Sequence, residues 1–256
     1  MSRYRGYIMD LDGTVYRGES LIDGAAERIA VLREEGARVV FLSNKPLEPR
    51  RNYAAKLTRL GVPTAPEDVV NSTQATFHYL RSIGLRDELY VVGEQALLEE
   101  FRAEGFGLQD DPARIQAVIA AFDRTLDYAK LNTAYQALKR GARFFATNAD
   151  RSCPVDEGDI PDCAGVIAFL EATSGRQVEM VAGKPSPDIL QAALARLQLD
   201  AHDCLMVGDR LATDICMGNT CQLDTALVLS GVTALGDLVD SPYQPTWVLE
   251  SIASLP

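Results

Sequence analysis

Short β-type apolar runs alternate with amphipathic stretches from the start of the chain, and this alternation constrains the fold more than any other feature. Tyr7-Ile8-Met9 is followed by a helical stretch that starts at Asp23 or Gly24, runs through Glu35 and is closed by Gly36, and the next strand is Arg38 to Leu42. A Pro-containing loop leads to a helix from about Arg50 to Leu60, ended by Gly61, and to another that starts near a cap at Ser72. Strands separated by helices pair in parallel through crossovers, so the pattern predicts an α/β chain built on a parallel sheet.

Around Gly84 to Glu88 a second set of elements begins. It comprises Leu89-Tyr90-Val91-Val92, a helix from Glu94 to Glu104, Ala117 to Phe122, Tyr128 to Arg140, Arg143 to Ala146, a helical stretch near Ala164 to Thr173, and the run Val178 to Val181. The first pattern resumes at Gly183-Lys184-Pro185, with a helix over Pro187 to Leu197, a strand over Cys204 to Val207, a short helix over Thr213 to Met217 and a strand over Thr225 to Leu229. The expected division is a core formed by 1–83 and 181–256, with an α/β domain inserted at 84–180. A chain of 256 residues is long enough for both.

Loops at the carboxyl ends of parallel strands are where ligands bind, so the polar residues at the strand exits carry the functional reading. Asp10-Leu11-Asp12-Gly13-Thr14 follows the first strand. Alternate spacing lets both carboxylates face one side, Gly13 frees the backbone and exposes amides to an anion, and two acids beside a Gly turn suit a hard metal ion and phosphate chemistry. Ser43-Asn44 ends the second apolar run with a hydroxyl and an amide suited to phosphate oxygens. Lys184 sits between a Gly and a Pro at a helix start, where its ammonium can neutralise both a phosphate and an anionic nucleophile. Asp209 and Asp214 follow Cys204-Leu205-Met206; Asp209 suits a Mg²⁺ site, and Asp214 holds a water, orients the Lys or caps a helix. Taken singly, each segment also fits an ordinary turn or solvated loop.

Composition narrows the chemistry. A formal net charge of −11 argues against a nucleic-acid surface. Met1-Ser2-Arg3-Tyr4-Arg5 runs straight into the first strand, and no apolar stretch is long enough to span a bilayer, so the expectation is a cytoplasmic protein with no membrane partner. Five cysteines, Cys153, Cys163, Cys204, Cys216 and Cys221, without a C-x-x-C pair and with only two His residues, speak against zinc and for thiols in a reducing compartment.

In this order, D-x-D-G-T, S-N, G-K-P and G-D-x-x-x-x-D resemble the signature motifs of the haloacid dehalogenase superfamily of phosphohydrolases. Asp-Leu-Asp-Gly-Thr-Val-Tyr, the run Gly141 to Asp150 and the Asp209 to Asp214 segment are similar to its NagD-like, p-nitrophenylphosphatase branch, and that similarity spans nearly the full chain. The resemblance implies a Rossmann-like core with a large α/β type 2 cap between the second and third motifs. It implies that Asp10 attacks phosphorus to form an aspartyl-phosphate and that Asp12 protonates the leaving oxygen and then activates water. Mg²⁺ is implied on the Asp10 carboxylate, the Asp12 carbonyl and Asp209, while Lys184 neutralises charge and Asp214 supports the site. Gly13, Ser43, Asn44 and Lys184 are implied around the phosphate, and a homodimer through the cap is allowed by resemblance alone.

Relatives carry cap contacts near the positions of Phe122 and Cys153, so both are expected at the substrate, although Phe122 also reads as core. Cys153 offers no charged handle, which predicts broad selectivity extending to sugar phosphates. Lys45 stands where many members have a small polar residue; it either favours a second anionic group on the substrate or turns to solvent. The leading expectation is a phosphatase for small phosphorylated metabolites. A phosphotransferase or phosphomutase uses the same intermediate, and a catalytically silent scaffold needs none of the clustered charges.

Overall fold

The computed structural model describes residues 4–45, 49–155 and 158–256; the Met1-Ser2-Arg3 start and Pro46 lie outside the described residues. In chain order, β1 (Gly6–Asp10) is followed by the short hairpin β2 (Tyr16–Arg17) and β3 (Ser20–Leu21), α1 (Ala25–Glu34), β4 (Arg38–Ser43), α2 (Arg50–Arg59), β5 (Val69–Asn71) and α3 (Ser72–Ser82). Then come β6 (Leu89–Val92), α4 (Gln95–Ala103), β7 (Ala117–Ala120), α5 (Tyr128–Lys139), β8 (Arg143–Ala146), the hairpin β9 (Ser152–Val155) and β10 (Gly158–Pro161), α6 (Cys163–Ser174) and β11 (Met180–Val181). The chain closes with α7 (Pro187–Leu197), β12 (Cys204–Gly208), α8 (Cys216–Cys221), β13 (Asp224–Val228) and β14 (Trp247–Leu249).

Two compact units result. One comprises Met1–Ser43, Arg50–Val70 and Lys184–Pro256; the other comprises Asn44–Pro49 and Asn71–Gly183. The first is organised by a six-stranded sheet in the order β14-β13-β12-β1-β4-β5. β1 is central and buried along its whole length, as a strand covered on both faces must be, and it pairs in parallel with β12 and β4. Tyr7, Met9, Phe41, Leu205 and Val207 pack with Ile29 and Leu32 of α1 and Leu57 of α2 in one apolar core.

Register decides what reaches the carboxyl edge of this sheet. Asp10 pairs with Leu42, so Ser43 is the next residue out on β4, and Met9 pairs with Val207, so Asp209 lies two residues further along, just past the end of β12. Three strand exits therefore end side by side.

The second unit has its own sheet, β11-β8-β7-β6, with every pairing parallel. Ala134 and Leu138 of α5 and Val166 and Leu170 of α6 cover one set of its side chains, while Phe77 and Leu80 of α3 and Leu97 and Phe101 of α4 cover the other. The long segment of this unit runs from Asn71, against an expected start at 84, and α3 buries its aromatic face there. Phe77 meets Phe101 edge-on at 4.8 Å between ring centroids and stacks on Phe106 at 5.1 Å.

Two local expectations change. The α3 cap is Asn71, whose side chain accepts the Gln74 N–H at 3.0 Å, while Ser72 opens the helix and donates to the Asn44 carbonyl. The helix expected over Thr213 to Met217 is a π-helical turn over Leu211–Ile215 that runs into α8. Such turns cluster at functional sites because they redirect one side chain. Among the described residues no helix is long and apolar enough to cross a membrane.

Candidate active site

At the carboxyl edge of the six-stranded sheet three carboxylates and one ammonium converge. Asp10, Asp209 and Asp214 each offer an oxygen within 4.8 Å of the others. Lys184 donates to Asp10 Oδ1 in a short contact and to Asp214 Oδ1 at 2.7 Å. Asp214 is held from the other side as well, since its Oδ2 accepts the Arg210 N–H at 3.0 Å from the start of the π-helical turn. It thus sits inside the turn rather than at its N-cap, and the turn aims it at Lys184. That lysine follows Gly183 through a short loop and enters α7 after a cis peptide bond to Pro185.

Burial makes these charges interact strongly. Lys184 and Asp214 expose 3% and 0% of their side chains, whereas Asp10 exposes 12%. Asp209 is also fully buried. Burial drives the Asp10 carboxyl well up, Lys184 opposes the shift, and Asp214 and Asp209 add to it. Asp209 is pushed up to about 6, by burial first and then by Asp214. Burial lowers Lys184, but Asp10 and Asp214 more than reverse this and hold it charged.

One ammonium against three carboxylates leaves the cluster anionic, and Asp209 exposes the deficit. Its Oδ2 accepts the Val232 N–H at 2.7 Å, yet its buried Oδ1 has no hydrogen-bond partner. Glycines clear the space around it: a Cβ on Gly13 would stand 2.6 Å from Asp209 Oδ2, and one on Gly231 only 1.9 Å from it. An unsatisfied hard oxygen among converging carboxylates fits a divalent cation such as Mg²⁺.

The other expected residues distribute as follows. Asp12 lies half-buried just beyond Asp10, bridged to Tyr16, and Ser43 is buried at the β4 exit. Gly13 adopts φ +85°, a conformation that favours glycine, and its N–H donates to the Tyr16 carbonyl at 2.8 Å. That amide is thus occupied by the turn, and what Gly13 contributes is room beside Asp209. Asn44 and Lys45 belong to the second unit, where the Asn44 amide donates to Asp150 Oδ2 at 3.1 Å. The Asp162 carboxyl of the same unit is raised by burial, held down by Asn148 and the Cys163 N–H, raised by Asp150 and held down by the charge of Lys45.

Phe122 and Cys153 are buried in the second unit at 3% and 4% exposure, so neither presents much side-chain surface to a ligand. Beyond Phe122, Asp123 and Arg124 are engaged within the same unit: Asp123 takes Lys130 at 2.6 Å and Arg124 pairs with Glu94 at 2.6 Å. The loop after β13 escaped the sequence reading. Ser230 donates to the Gly13 carbonyl at 2.8 Å, and Gly231 and Val232 close on Asp209. Its position at the exit of the strand next to β12 is the signal that could have found it.

Comparison with known proteins agrees with this geometry. Residues 7–107 match a family profile described as haloacid dehalogenase-like hydrolase, and residues 181–255 match one described as HAD-hydrolase-like. The chain is 39% identical over 247 residues to the sugar-phosphatase AraL of Bacillus subtilis, covering 96% of this chain and 90% of that protein. It is 35% identical over 254 residues to the ribonucleotide monophosphatase NagD of Escherichia coli K12, covering 98% of each. The crystal structure of a 4-nitrophenylphosphatase from Thermotoga maritima superposes with a TM-score of 0.94 at 31% identity, over 99% of this chain and 96% of that one.

Proposed function

The chain belongs to the haloacid dehalogenase-like hydrolases as a NagD-like phosphatase, and from that premise we propose that it hydrolyses small sugar phosphates with Mg²⁺ through a phosphoryl group carried on Asp10. The observation that carries the reading is the difference in access among the clustered acids. Asp214 and Asp209 are sealed, and Asp10 alone keeps a solvent-facing part, so it is the carboxylate a phosphate ester can reach.

Attack by Asp10 on an anionic phosphate is opposed by charge repulsion. Lys184 opposes the upward shift that burial imposes on Asp10 and stands ready for the charge that develops on the transferring oxygens. Asp214 fixes the Lys184 ammonium from the far side. Asp12 is the proton donor to the leaving oxygen and then the base for water; its place just past the nucleophile supports both roles. Ser43 supplies a hydroxyl at the adjacent strand exit. Asp10, Asp209 and the Asp12 carbonyl would hold Mg²⁺, which when bound supplies positive charge to the phosphate and the nucleophile.

The second unit acts in this reading as the cap that limits substrates, with 84–180 as its central part. The sugar-phosphate preference rests on the relative named as a sugar phosphatase. A small phosphorylated metabolite is thus the substrate. A cytoplasmic location is supported by Cys163, Cys204, Cys216 and Cys221, which are free thiols.

The test is phosphate release from sugar phosphates, nucleotides and p-nitrophenyl phosphate, with and without Mg²⁺, beside Asp10→Asn. Metal-dependent release that disappears in the variant is expected, with sugar phosphates giving the highest kcat/KM. Release that survives Asp10→Asn refutes the nucleophile. Transfer to an added sugar acceptor in preference to water points instead to a phosphotransferase.

A further inference from the structure

Ser43 and Lys184 are chain neighbours of Asn44 and Gly183, and both of those neighbours are gripped inside the second unit by the same short loop, Thr147 to Asp150. The Asn44 amide donates to Asp150 Oδ2 at 3.1 Å, and the Asn148 amide donates to that same oxygen at 3.1 Å. The Gly183 N–H donates to the Thr147 carbonyl at 2.7 Å. A third strand of chain joins them, because Ser72 Oγ donates to the Asn44 carbonyl at 2.8 Å. Asn148 is itself anchored, donating to Asp162 Oδ1 at 3.0 Å and receiving the Thr147 hydroxyl at 3.0 Å.

The packing is as tight as the bonding. Ser72, Thr147, Asn148 and Asn44 are all buried. A Cβ added to Gly183 would stand 2.7 Å from Asn44 Oδ1 and 2.8 Å from the Thr147 carbonyl oxygen, distances that real side chains do not adopt. Only glycine lets the two chain passages touch, and only with the Asn44 amide turned as Asp150 holds it.

We propose that Asp150, Asn44 and Gly183 form a clasp that positions Ser43 and Lys184, so that Asp150 is a positioning residue for phosphoryl transfer although it belongs to the second unit. The coupling is covalent and short: one peptide bond separates Asn44 from Ser43, and one separates Gly183 from Lys184. Lys184 is useful only if its ammonium meets both Asp10 and Asp214, a two-point geometry that a small backbone shift destroys. An acid in a T-N-A-D run after β8 would thereby act on chemistry without touching the substrate. The inference rests on the phosphatase reading for its kinetic half only.

The test compares Asp150→Ala, Asn44→Ala and the double variant. Each single variant is expected to lower kcat by roughly tenfold or more with KM within about twofold, because transition-state contacts are misplaced while binding groups remain. The double variant should lose no more than the worse single one, since both act through one bond. A readout independent of turnover accompanies this: the backbone amide resonances of Ser43 and Lys184 should shift in Asp150→Ala. Asp150→Ser, a smaller perturbation, takes its place should the alanine protein not fold, and Gly183→Ala should reproduce the kcat loss from the other side of the clasp. Unmoved Ser43 and Lys184 resonances, additive losses, or an effect confined to KM or to melting temperature overturn the clasp. A wild-type protein that releases no phosphate from any ester would instead refute the phosphatase reading, leaving the resonance test standing.

Discussion

Replacing Lys184 by Met removes the one cation from a buried cluster of three carboxylates while roughly preserving its volume. The oxygens of Asp10, Asp209 and Asp214 lie within 4.8 Å. At an effective dielectric constant of about 20, two unit charges at that separation repel by about 3.5 kcal/mol. Three ionised carboxylates with no ammonium therefore cannot persist, and the least costly escape is uptake of a proton. Asp10, already driven upward by burial and its neighbours, is the group to take it, which silences the nucleophile. Loss of a preorganised charge contact to the transferring group adds about 2.7–4 kcal/mol to the barrier. Lys184→Met should thus lower kcat for p-nitrophenyl phosphate by about 10²–10³-fold or more at saturating Mg²⁺. Lys184→Arg should fail to restore it, because a planar guanidinium does not fit a site where the lysine side chain is 3% exposed. Steady-state kinetics beside a thermal melt separate chemistry from folding. A folded Lys184→Met protein with kcat within tenfold of wild type, or with a loss confined to KM, would show that the ammonium does not carry the charge balance assigned to it.

Asp209 gives the pH dependence. Its raised value of about 6 means that the protonated form gains in the metal-free fold, and a proton competes with the cation for the same oxygens. Affinity for Mg²⁺ should be level above that pH and fall by up to about tenfold per unit below it, as titration calorimetry with metal-free wild-type protein from pH 5 to pH 8 would reveal. Gly231→Ala puts a Cβ 1.9 Å from Asp209 Oδ2 and should weaken Mg²⁺ binding about tenfold or more, while Gly236→Ala, with nothing within 4 Å, serves as the control in the same segment. Asp12→Asn should slow breakdown of the phosphoenzyme more than its formation, leaving a phosphorylated chain that mass spectrometry detects after quenching. Phe77→Ala deletes a fully buried ring between Phe101 and Phe106 and should cost about 3–5 kcal/mol in urea unfolding.

Much of the core was legible because its signals are local. Arg143 to Ala146 and Pro187 to Leu197 occur with the expected bounds, since a continuous apolar run and a Ser-Pro helix start each declare themselves over a few residues. The α3 cap was misplaced by one residue because Asn71 and Ser72 are both good caps, and only the Asn44 carbonyl, far along the chain, draws the Ser72 hydroxyl away. The hairpin β9–β10, the short strand β5 and the edge strand β14 went unread. Each is held by pairing or packing with distant chain, and none has a strong period of its own. The π-helical turn was beyond reach for the same reason: its geometry serves a hydrogen bond from Arg210 and an ammonium from Lys184.

Residue type and order alone determined that this chain makes a parallel α/β core, that acids stand at two of its strand exits, and that a lysine is available to balance them. Those are properties of spacing and periodicity, which survive without coordinates. Tertiary structure decided which acid is reachable. Asp10, Asp209 and Asp214 are chemically identical side chains, and only their unequal burial and the register of β1 against β4 and β12 separate the partly open Asp10 from the sealed Asp209 and Asp214. It also decided that Asn44 faces Asp150 and that Gly13 spends its amide on Tyr16. Solvent access and hydrogen-bond competition are set by the whole fold, so no short segment carries them.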